Sequence, residues 1–433
     1  MTEKTDFIVK RLQDHGFQTY WVGGAVRDML LQRTSGDIDI LTRASIPEIQ
    51  AVFSDQKVRI VGKSFPVCII NGIEVSSGRA GADAAGFPES DLARRDFTFN
   101  AMALDPVSKK IMDPFNGQKD IRDRIIRFTQ DPLKRIAEDP VRMVRACRFL
   151  ALMKGSFSLS TLEALQVSKD LIRETAKERI GREILKAMAL DKPSLFFRAL
   201  QTTGLLSYIF PSLDRCVDLD GGPHHRETVF DHCLLVGDAL PARFPVLRLA
   251  GFLHDAGKFD AAVLEEDGAL SFIGHENHTQ AVLKDLMDLR FSVQDREYIM
   301  ALIKTHMRPL TDATTPKAAR RLLALLDGHG LSHRDFMRMR IADKKGNLAK
   351  NPYTLSEIRI RLKRLLAEMD RSKAFNINSL DISGHEIAGL LNISPSPEIG
   401  RIKALLLERV LDDPLLNRNE ELKKLCLSFQ IKK

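Results

Sequence analysis

Residues 22–40 read VGGAVRDMLLQRTSGDIDI, and this stretch decides how the chain begins to fold. A short apolar run at 20–22 ends in Gly23-Gly24, and 26–31 then carries the spacing of an amphipathic helix. Glycines at a strand-to-helix turn let backbone amides approach a phosphate, or simply make the turn. Arg27 follows, placed for a phosphate or for an acidic neighbour. Acidic and apolar residues alternate over 37–41, as in a strand with one polar face. Alternate residues of a strand share a side, so Asp37 and Asp39 face one space. Two such carboxylates repel unless a cation or a donor lies between them. Mg²⁺ suits them, because it takes oxygen ligands and keeps several waters. A solvated acidic strand edge is the other reading.

Outward from this stretch, 46–53 reads as a helix, and 58–61, 67–70 and 73–75 as short strands. Asn71-Gly72 is a strong hairpin turn between the last two. Residues 19–75 thus predict a small mixed sheet. Glu74 offers a third carboxylate. Three acids can hold two ions about 4 Å apart, one activating a 3′-hydroxyl and one steadying pyrophosphate. Residues 78–91, rich in Gly, Ala, Ser and Pro, predict a mobile loop. In LARRDFTFNA (92–101), Arg94 or Arg95 can bind a phosphate while Asp96 or Asn100 organises it; a charged helix start capped by Asp96 is the alternative. In EDPVR (138–142), Asp139 and Arg142 stand three apart and can share a helix face, either to read a base edge or as a surface ion pair.

The remaining chain is helical by pattern. Over 131–220 Met143, Ala146, Cys147 and Leu150 share one face, Arg142, Arg145 and Arg148 form a basic side, and strand signals are absent. Gly221-Gly222-Pro223 predicts a domain boundary. Residues 224–345 predict an all-helical segment that holds nine of the eleven histidines, and 350–433 is helical again. In the tail, Leu390, Leu391, Ile402, Leu405 and Leu406 predict the packing face of a helical pair. The domains expected are 1–130, 131–220, 221–345 and 346–433.

A length of 433 residues suggests two to four domains, and 44% hydrophobic with 28% charged residues is globular rather than disordered. No apolar run reaches eighteen residues, so no membrane span is expected. The charged start predicts no secretory signal, and five scattered cysteines fit a reducing, cytoplasmic compartment. A net charge of +8 permits a nucleic-acid partner without establishing one.

His254-Asp255 lies in an apolar helix, where the pair is costly unless it binds something. His232, His254, Asp255 and Asp343 can form a metal site, with His275 and His306 suited to a second ion or to a substrate phosphate.

The stretches VGGAVRDMLL (22–31), GDIDI (36–40), VGKSFPVCII (61–70), DLARRDFTFNAMA (91–103), DPFNGQKDI (113–121), EDPVRMVRACRF (138–149) and ERIGREILKAM (178–188) together resemble the bacterial-type (class II) tRNA nucleotidyltransferase and poly(A) polymerase family. The resemblance implies an α+β fold: a small mixed-sheet, polymerase beta-like head, then an all-helical neck, body and tail. It implies Mg²⁺ on Asp37 and Asp39, with Glu74 as the third acid. Gly23, Gly24 and Arg27 are similar to the family's phosphate-binding turn. Arg95, Asp96 and Asn100 are similar to the segment that orients ribose and triphosphate. Asp139 and Arg142 are similar to the protein template that selects C or A, with Arg145 and Arg148 supporting them or the phosphates. Glu178 and Arg179 resemble a structural pair in the neck. The partners implied are CTP, ATP and the acceptor stem and elbow of tRNA, with the enzyme a monomer or homodimer. Family members that add the whole CCA usually carry a longer loop after the third acid, and those that add only CC a shorter one; here nineteen residues separate Glu74 from Arg94.

Residues 224–345 resemble the HD superfamily of metal-dependent phosphohydrolases. This implies Ni²⁺, Mn²⁺, Co²⁺ or Mg²⁺ on His232, His254, Asp255 and Asp343, with Lys258 near a substrate phosphate. Cyclic phosphodiesterase, 2′-nucleotidase or phosphatase chemistry would follow; a domain kept only as a scaffold for tRNA is the alternative.

Overall fold

The computed structural model describes residues 2–33, 38–62, 66–78, 86–372 and 374–429. Asp37 and residues 79–85 of the expected loop lie outside the described residues. Two compact units divide the chain, residues 1–208 and 209–433. In the described residues no helix is long and apolar enough to cross a membrane.

The first unit opens on the helix Thr2–Asp14, whose Ile8, Val9 and Leu12 are fully buried. Seven strands follow: β1 (Thr19–Val22), β2 (Asp39–Thr42), β3 (Val58–Val61), β4 (Val67–Ile70), β5 (Ile73–Ser77), β6 (Ala103–Leu104) and β7 (Ile111–Met112). They form one sheet in the order β3-β4-β5-β2-β1-β6-β7. β2 and β5 run parallel, and the other neighbours antiparallel. The sequence-based mixed sheet is therefore present. Asn71 and Gly72 both take positive φ, 52° and 85°, which is what a two-residue hairpin loop requires. Ser45 and Glu48 cap the helix Ile46–Val52 reciprocally.

Past the sheet, the helices Pro132–Glu138, Val141–Met153, Leu159–Ser168, Lys177–Met188 and Ser194–Thr203 complete the unit. Phe97, Phe99, Phe128 and Phe149 join the two parts. Their ring centroids lie 4.8–5.3 Å apart, and all four side chains are buried. Offset and edge-on pairs of this kind each add about 1 kcal/mol beyond burial. They fix the segment at 95–100 against the helix Val141–Met153. One expectation is corrected here: β9 (Ser156–Phe157) lies inside the 131–220 stretch expected to be purely helical, and it pairs in parallel with β8 (Ile125–Ile126), which precedes that stretch. Gly155 permits the approach, since a Cβ there would lie 1.9 Å from the Arg124 carbonyl oxygen.

Among the described residues the second unit is helical except for a hairpin of β10 (Val263–Leu264) and β11 (Leu270–Ser271), which corrects the all-helical expectation for 224–345. Two residues per strand leave too little alternation to read from sequence. Its tail has its own core, with Ile387, Ile402, Leu406, Val410, Leu422 and Cys426 buried together. Leu390 and Leu391 pack against that core, but Leu405 is half exposed and does not belong to the expected packing face.

Candidate active sites

In the first unit a cavity of about 300 Å³ opens beside the β1 turn, lined by Gly23, Gly24, Arg27, Asp39, Arg95 and the side chains that follow here. Gly23 takes φ 69°. A Cβ on it would stand 2.4 Å from Arg95 Nη1 and 3.7 Å from Asp39 Oδ2, so only glycine lets the Arg95 guanidinium lie against the turn. Asp39 opens β2, paired to Val22 on one side. On the other side Ile40 pairs with Val75 in parallel, and both are fully buried. One step back along both strands stand Asp39 and Glu74, which therefore share the opposite face of the sheet. Asp39 lines the cavity, and Glu74 is exposed at the neighbouring strand position.

Arg27, Asn100, Asp96 and Arg145 form a hydrogen-bonded chain along one wall. Arg27 Nη1 donates to Asn100 Oδ1 at 2.7 Å, Asn100 Nδ2 donates to Asp96 Oδ1 at 3.0 Å, and Arg145 Nη2 meets Asp96 Oδ2 at 2.6 Å. Asp96 also accepts the Phe97 amide at 2.9 Å, so it holds its own loop rather than capping a helix. One turn further along the same helix as Arg145, Arg148 Nε donates to Glu183 at 2.5 Å, and Lys186 Nζ reaches the same carboxylate at 3.2 Å. Burial raises the Glu183 carboxyl, but the Arg148 charge, with Arg145 and Lys186, outweighs it and holds the group below its ordinary value. The guanidinium carbons of Arg27, Arg145 and Arg148 lie 5.0, 5.8 and 4.2 Å from the centre of the Phe149 ring. Among the described residues five cations (Arg27, Arg95, Arg145, Arg148 and Lys186) line the cavity against two carboxylates, Asp39 and Asp96. That balance suits a polyphosphate.

Asp139 and Arg142 do not line this cavity, and although the Arg142 amide donates to the Asp139 carbonyl at 3.0 Å, their side chains turn to other partners. Asp139 ends the helix Pro132–Glu138 in extended conformation (φ −160°, ψ 95°), because the residue before a proline is disfavoured in a helix. Its carboxylate takes two bonds from Arg179, at 3.0 and 2.7 Å. Arg142 instead meets Glu138 at 2.9 Å and the Arg135 carbonyl at 2.8 Å. The expected shared helix face is thus replaced by two separate contacts. Arg179 is engaged with Asp139 across 40 residues of sequence.

In the second unit, His232, His254, Asp255, His275, His306 and Asp343 converge. His254, His275 and His306 each set Nδ1 against a backbone carbonyl three residues earlier, at 2.8, 3.0 and 2.6 Å. A carbonyl only accepts, so each Nδ1 carries a proton, and a ring that holds no second proton presents an Nε2 lone pair. Those three Nε2 atoms lie 3.3, 3.0 and 3.3 Å from Asp255 Oδ1. His232 Nε2 lies 3.2 Å from Asp343 Oδ1 and 3.6 Å from Asp255 Oδ2. The Nε2 atoms of His232 and His254 are buried without a hydrogen-bond partner. Lone pairs and an ionised carboxylate so placed repel unless a cation or protons sit among them, so the donor set fits a divalent ion. Burial pushes the His254 imidazole down to about 3. Burial also lowers His232, but the neighbouring Asp343 and Glu227 carboxylates outweigh it and raise the imidazole to about 9. Lys258 Nζ is 2.8 Å from Asp255 Oδ2. A cavity of about 770 Å³ opens over Asp255, His275, His306 and Asp343.

The Poly A polymerase head domain matches residues 19–127, and the probable RNA and SrmB-binding site of polymerase A matches 156–217. A Multifunctional CCA protein of Paraburkholderia phytofirmans is 32% identical over 320 residues, covering 66% of this chain and 75% of the relative. The chain belongs to the tRNA nucleotidyltransferase and poly(A) polymerase family. Like other members it is a nucleotidyltransferase. An A-adding tRNA nucleotidyltransferase of Deinococcus radiodurans is 29% identical over 89% of this chain and 90% of its own length. A CCA-adding enzyme of a Geobacillus species is 36% identical over 52% of this chain, and the match spans only 58% of that enzyme. The crystal structure of the Bacillus stearothermophilus CCA-adding enzyme with CTP superposes with a TM-score of 0.72 at 23% identity, over 98% of this chain and 96% of that one, so the fold is shared. None of these comparisons indicates a phosphohydrolase domain.

Phe149, Glu183, Lys186 and Glu227 were not singled out from sequence. Glu183 and Lys186 are three apart inside ERIGREILKAM, a spacing that puts them on one helix face. Glu227 is buried, 3.3 Å from His232 Nδ1 and 2.7 Å from His225 Nδ1. A carboxylate five residues before a candidate metal histidine was the available signal.

Proposed function

We propose that the chain adds nucleotides to the 3′ end of tRNA without a nucleic-acid template, transferring CMP and AMP from CTP and ATP to build or repair CCA. The observation that carries this reading is Asp39 lining one cavity together with Arg27, Arg95, Arg145 and Arg148. The four guanidiniums and Lys186 hold the triphosphate, and the fixed chain Arg27–Asn100–Asp96–Arg145 keeps two of them from moving as charge shifts to pyrophosphate. Mg²⁺, held by Asp39 with Asp37 and Glu74, would supply activation of the 3′-hydroxyl and charge relief at the leaving group. Asp139 and Arg142 offer an acceptor and donors for choosing between C and A. Addition of CC alone is the variant favoured by the short 75–93 segment, and addition of A alone by the name of the Deinococcus relative. Incorporation of labelled CMP and AMP into tRNA lacking its CCA, by the native chain and by D39A, tests the reading. Incorporation lost in D39A supports it; equal incorporation by both chains would refute it.

A second activity is favoured by the three Nε2 atoms facing Asp255. In this reading residues 221–345 form an HD-type phosphohydrolase. His232, His254, Asp255 and Asp343 would hold a divalent ion (Ni²⁺, Mn²⁺, Co²⁺ or Mg²⁺) that supplies an activated water. Lys258 stands beside Asp255 to meet a substrate phosphate, and the 2′,3′-cyclic or 2′-phosphate of a damaged RNA end is the fitting substrate class. Metal analysis of the purified chain and of D255A, with hydrolysis of 2′,3′-cyclic AMP as readout, decides it. Equal metal content and equal turnover would refute it.

A further inference from the structure

Three rings of the histidine cluster are set by neutral groups, since His254, His275 and His306 each direct Nδ1 at a backbone carbonyl. His232 is set differently. The residue is 1% exposed, and its Nδ1 lies 3.3 Å from Glu227 Oε1, while its Nε2 faces Asp343 Oδ1 at 3.2 Å. Glu227 is itself buried and stands just before Thr228, which caps the helix Val229–Ala239 that carries His232. Its Oε1 also takes His225 Nδ1 at 2.7 Å, and its Oε2 accepts the Arg226 amide at 3.0 Å and the Leu348 amide at 3.2 Å. Asn347 Nδ2, which only donates, meets His225 Nε2 at 3.3 Å, so the His225 proton is on Nδ1 and points at Glu227. An ionised carboxylate only accepts, at about four lone-pair sites, and suits this ring of N–H groups; an amide would turn its own NH₂ toward some of them. Leu348 follows the helix His333–Gly346, which carries Asp343. One side chain thus ties the segment that leads into His232 to the segment that leaves Asp343, across 121 residues of sequence.

We propose that Glu227 is the positioning residue of the histidine–aspartate cluster: it holds the proton on His232 Nδ1 and so turns the Nε2 lone pair toward a bound divalent ion. The inference rests on the phosphohydrolase reading for the presence of that ion. A full negative charge behind His232, where the other three rings have carbonyls, makes its Nε2 the strongest nitrogen donor of the cluster. The competing role is direct ligation, because ligand atoms of His225, Glu227 and His232 lie within 4.8 Å of one another.

The test uses the full chain carrying D39A, so that the transferase carboxylates are weakened as a rival site, and Ni²⁺, which suits imidazole ligands. Titration calorimetry gives affinity and stoichiometry for this parent, for E227Q, for H232A and for the two combined, with metal-free melting curves beside them. E227Q is expected to weaken Ni²⁺ binding about 10- to 100-fold at unchanged stoichiometry. Added to H232A, the same change should cost less than about twofold, because Glu227 acts through that ring. If E227Q does not fold, E227D takes its place, with a loss of at least about threefold expected. Parental affinity in the Glu227 variant, or an equal loss with and without His232, would overturn the proposal. Loss of one whole ion per chain would overturn it too and make Glu227 a ligand. A parent that binds no Ni²⁺ would overturn the phosphohydrolase reading with it.

Discussion

Arg148 donates its Nε hydrogen to Glu183 at 2.5 Å while its guanidinium carbon lies 4.2 Å from the centre of the Phe149 ring. Both side chains are largely buried. The pair joins the helix Val141–Met153 to the helix Lys177–Met188 and fixes one wall of the nucleotide cavity.

Removing one partner of such a pair leaves the other uncompensated, at a cost of about 3 kcal/mol. E183Q should therefore unfold at lower denaturant than the native chain at pH 7. The Glu183 pKa is held below its ordinary 4.5, so its stabilisation is present above that value and is lost as pH falls through the folded one. The gap between native chain and E183Q should close on acidification. Denaturant midpoints at pH 7 and at pH 4 or below check this; a gap that widens at low pH would contradict it.

Gly23 takes a positive φ and lies in the path of Arg95. G23A should move the Arg95 guanidinium, cut kcat/KM for nucleotide addition by about 100-fold, and cost only about 1–3 kcal/mol of stability. Steady-state kinetics beside a melting curve separates the two. Full activity in G23A would show that the Arg95 position is not needed.

Asp139 is oriented by two bonds from Arg179. D139A should blunt the choice between CTP and ATP by at least about tenfold, roughly the value of one lost base-edge contact. R179A should reproduce part of the effect by freeing the carboxylate. Competition between the two nucleotides on one primer measures it, and unchanged selectivity in both variants would exclude Asp139 from base choice.

The two candidate sites lie in different compact units. D39A should abolish nucleotide addition and leave any phosphodiesterase turnover intact, and D255A should do the reverse. Loss of both activities in either variant would contradict independent sites.

Local patterns made much of this legible in the sequence. Alternation over 37–41 placed Asp39 on a strand, and Asn71-Gly72 marked a turn that needs two positive φ values. Gly23 was visible as a turn glycine, while its reason, the closeness of Arg95, spans 72 residues and needs the fold. Pro140 sits between Asp139 and Arg142, and its effect on the residue before it breaks the helix face that their spacing suggested. Phe149 reads as one apolar position of an amphipathic helix; three arginines gather on it only when 27, 145 and 148 meet. The histidine cluster was legible by residue type, but the carbonyls that aim three Nε2 atoms at Asp255 are fixed by helix ends and turns. The two-residue strands β8 to β11 carry too little pattern to be read at all.

The most direct measurement is product length at single-nucleotide resolution. The purified chain with Mg²⁺ is given tRNA ending at the discriminator base, at C and at CC, each with CTP, ATP or both. Growth of all three substrates to CCA is the result predicted here. A halt at CC with both nucleotides present, or addition of A only to the CC substrate, would contradict the proposed product, and no growth on any substrate would contradict transfer to tRNA itself.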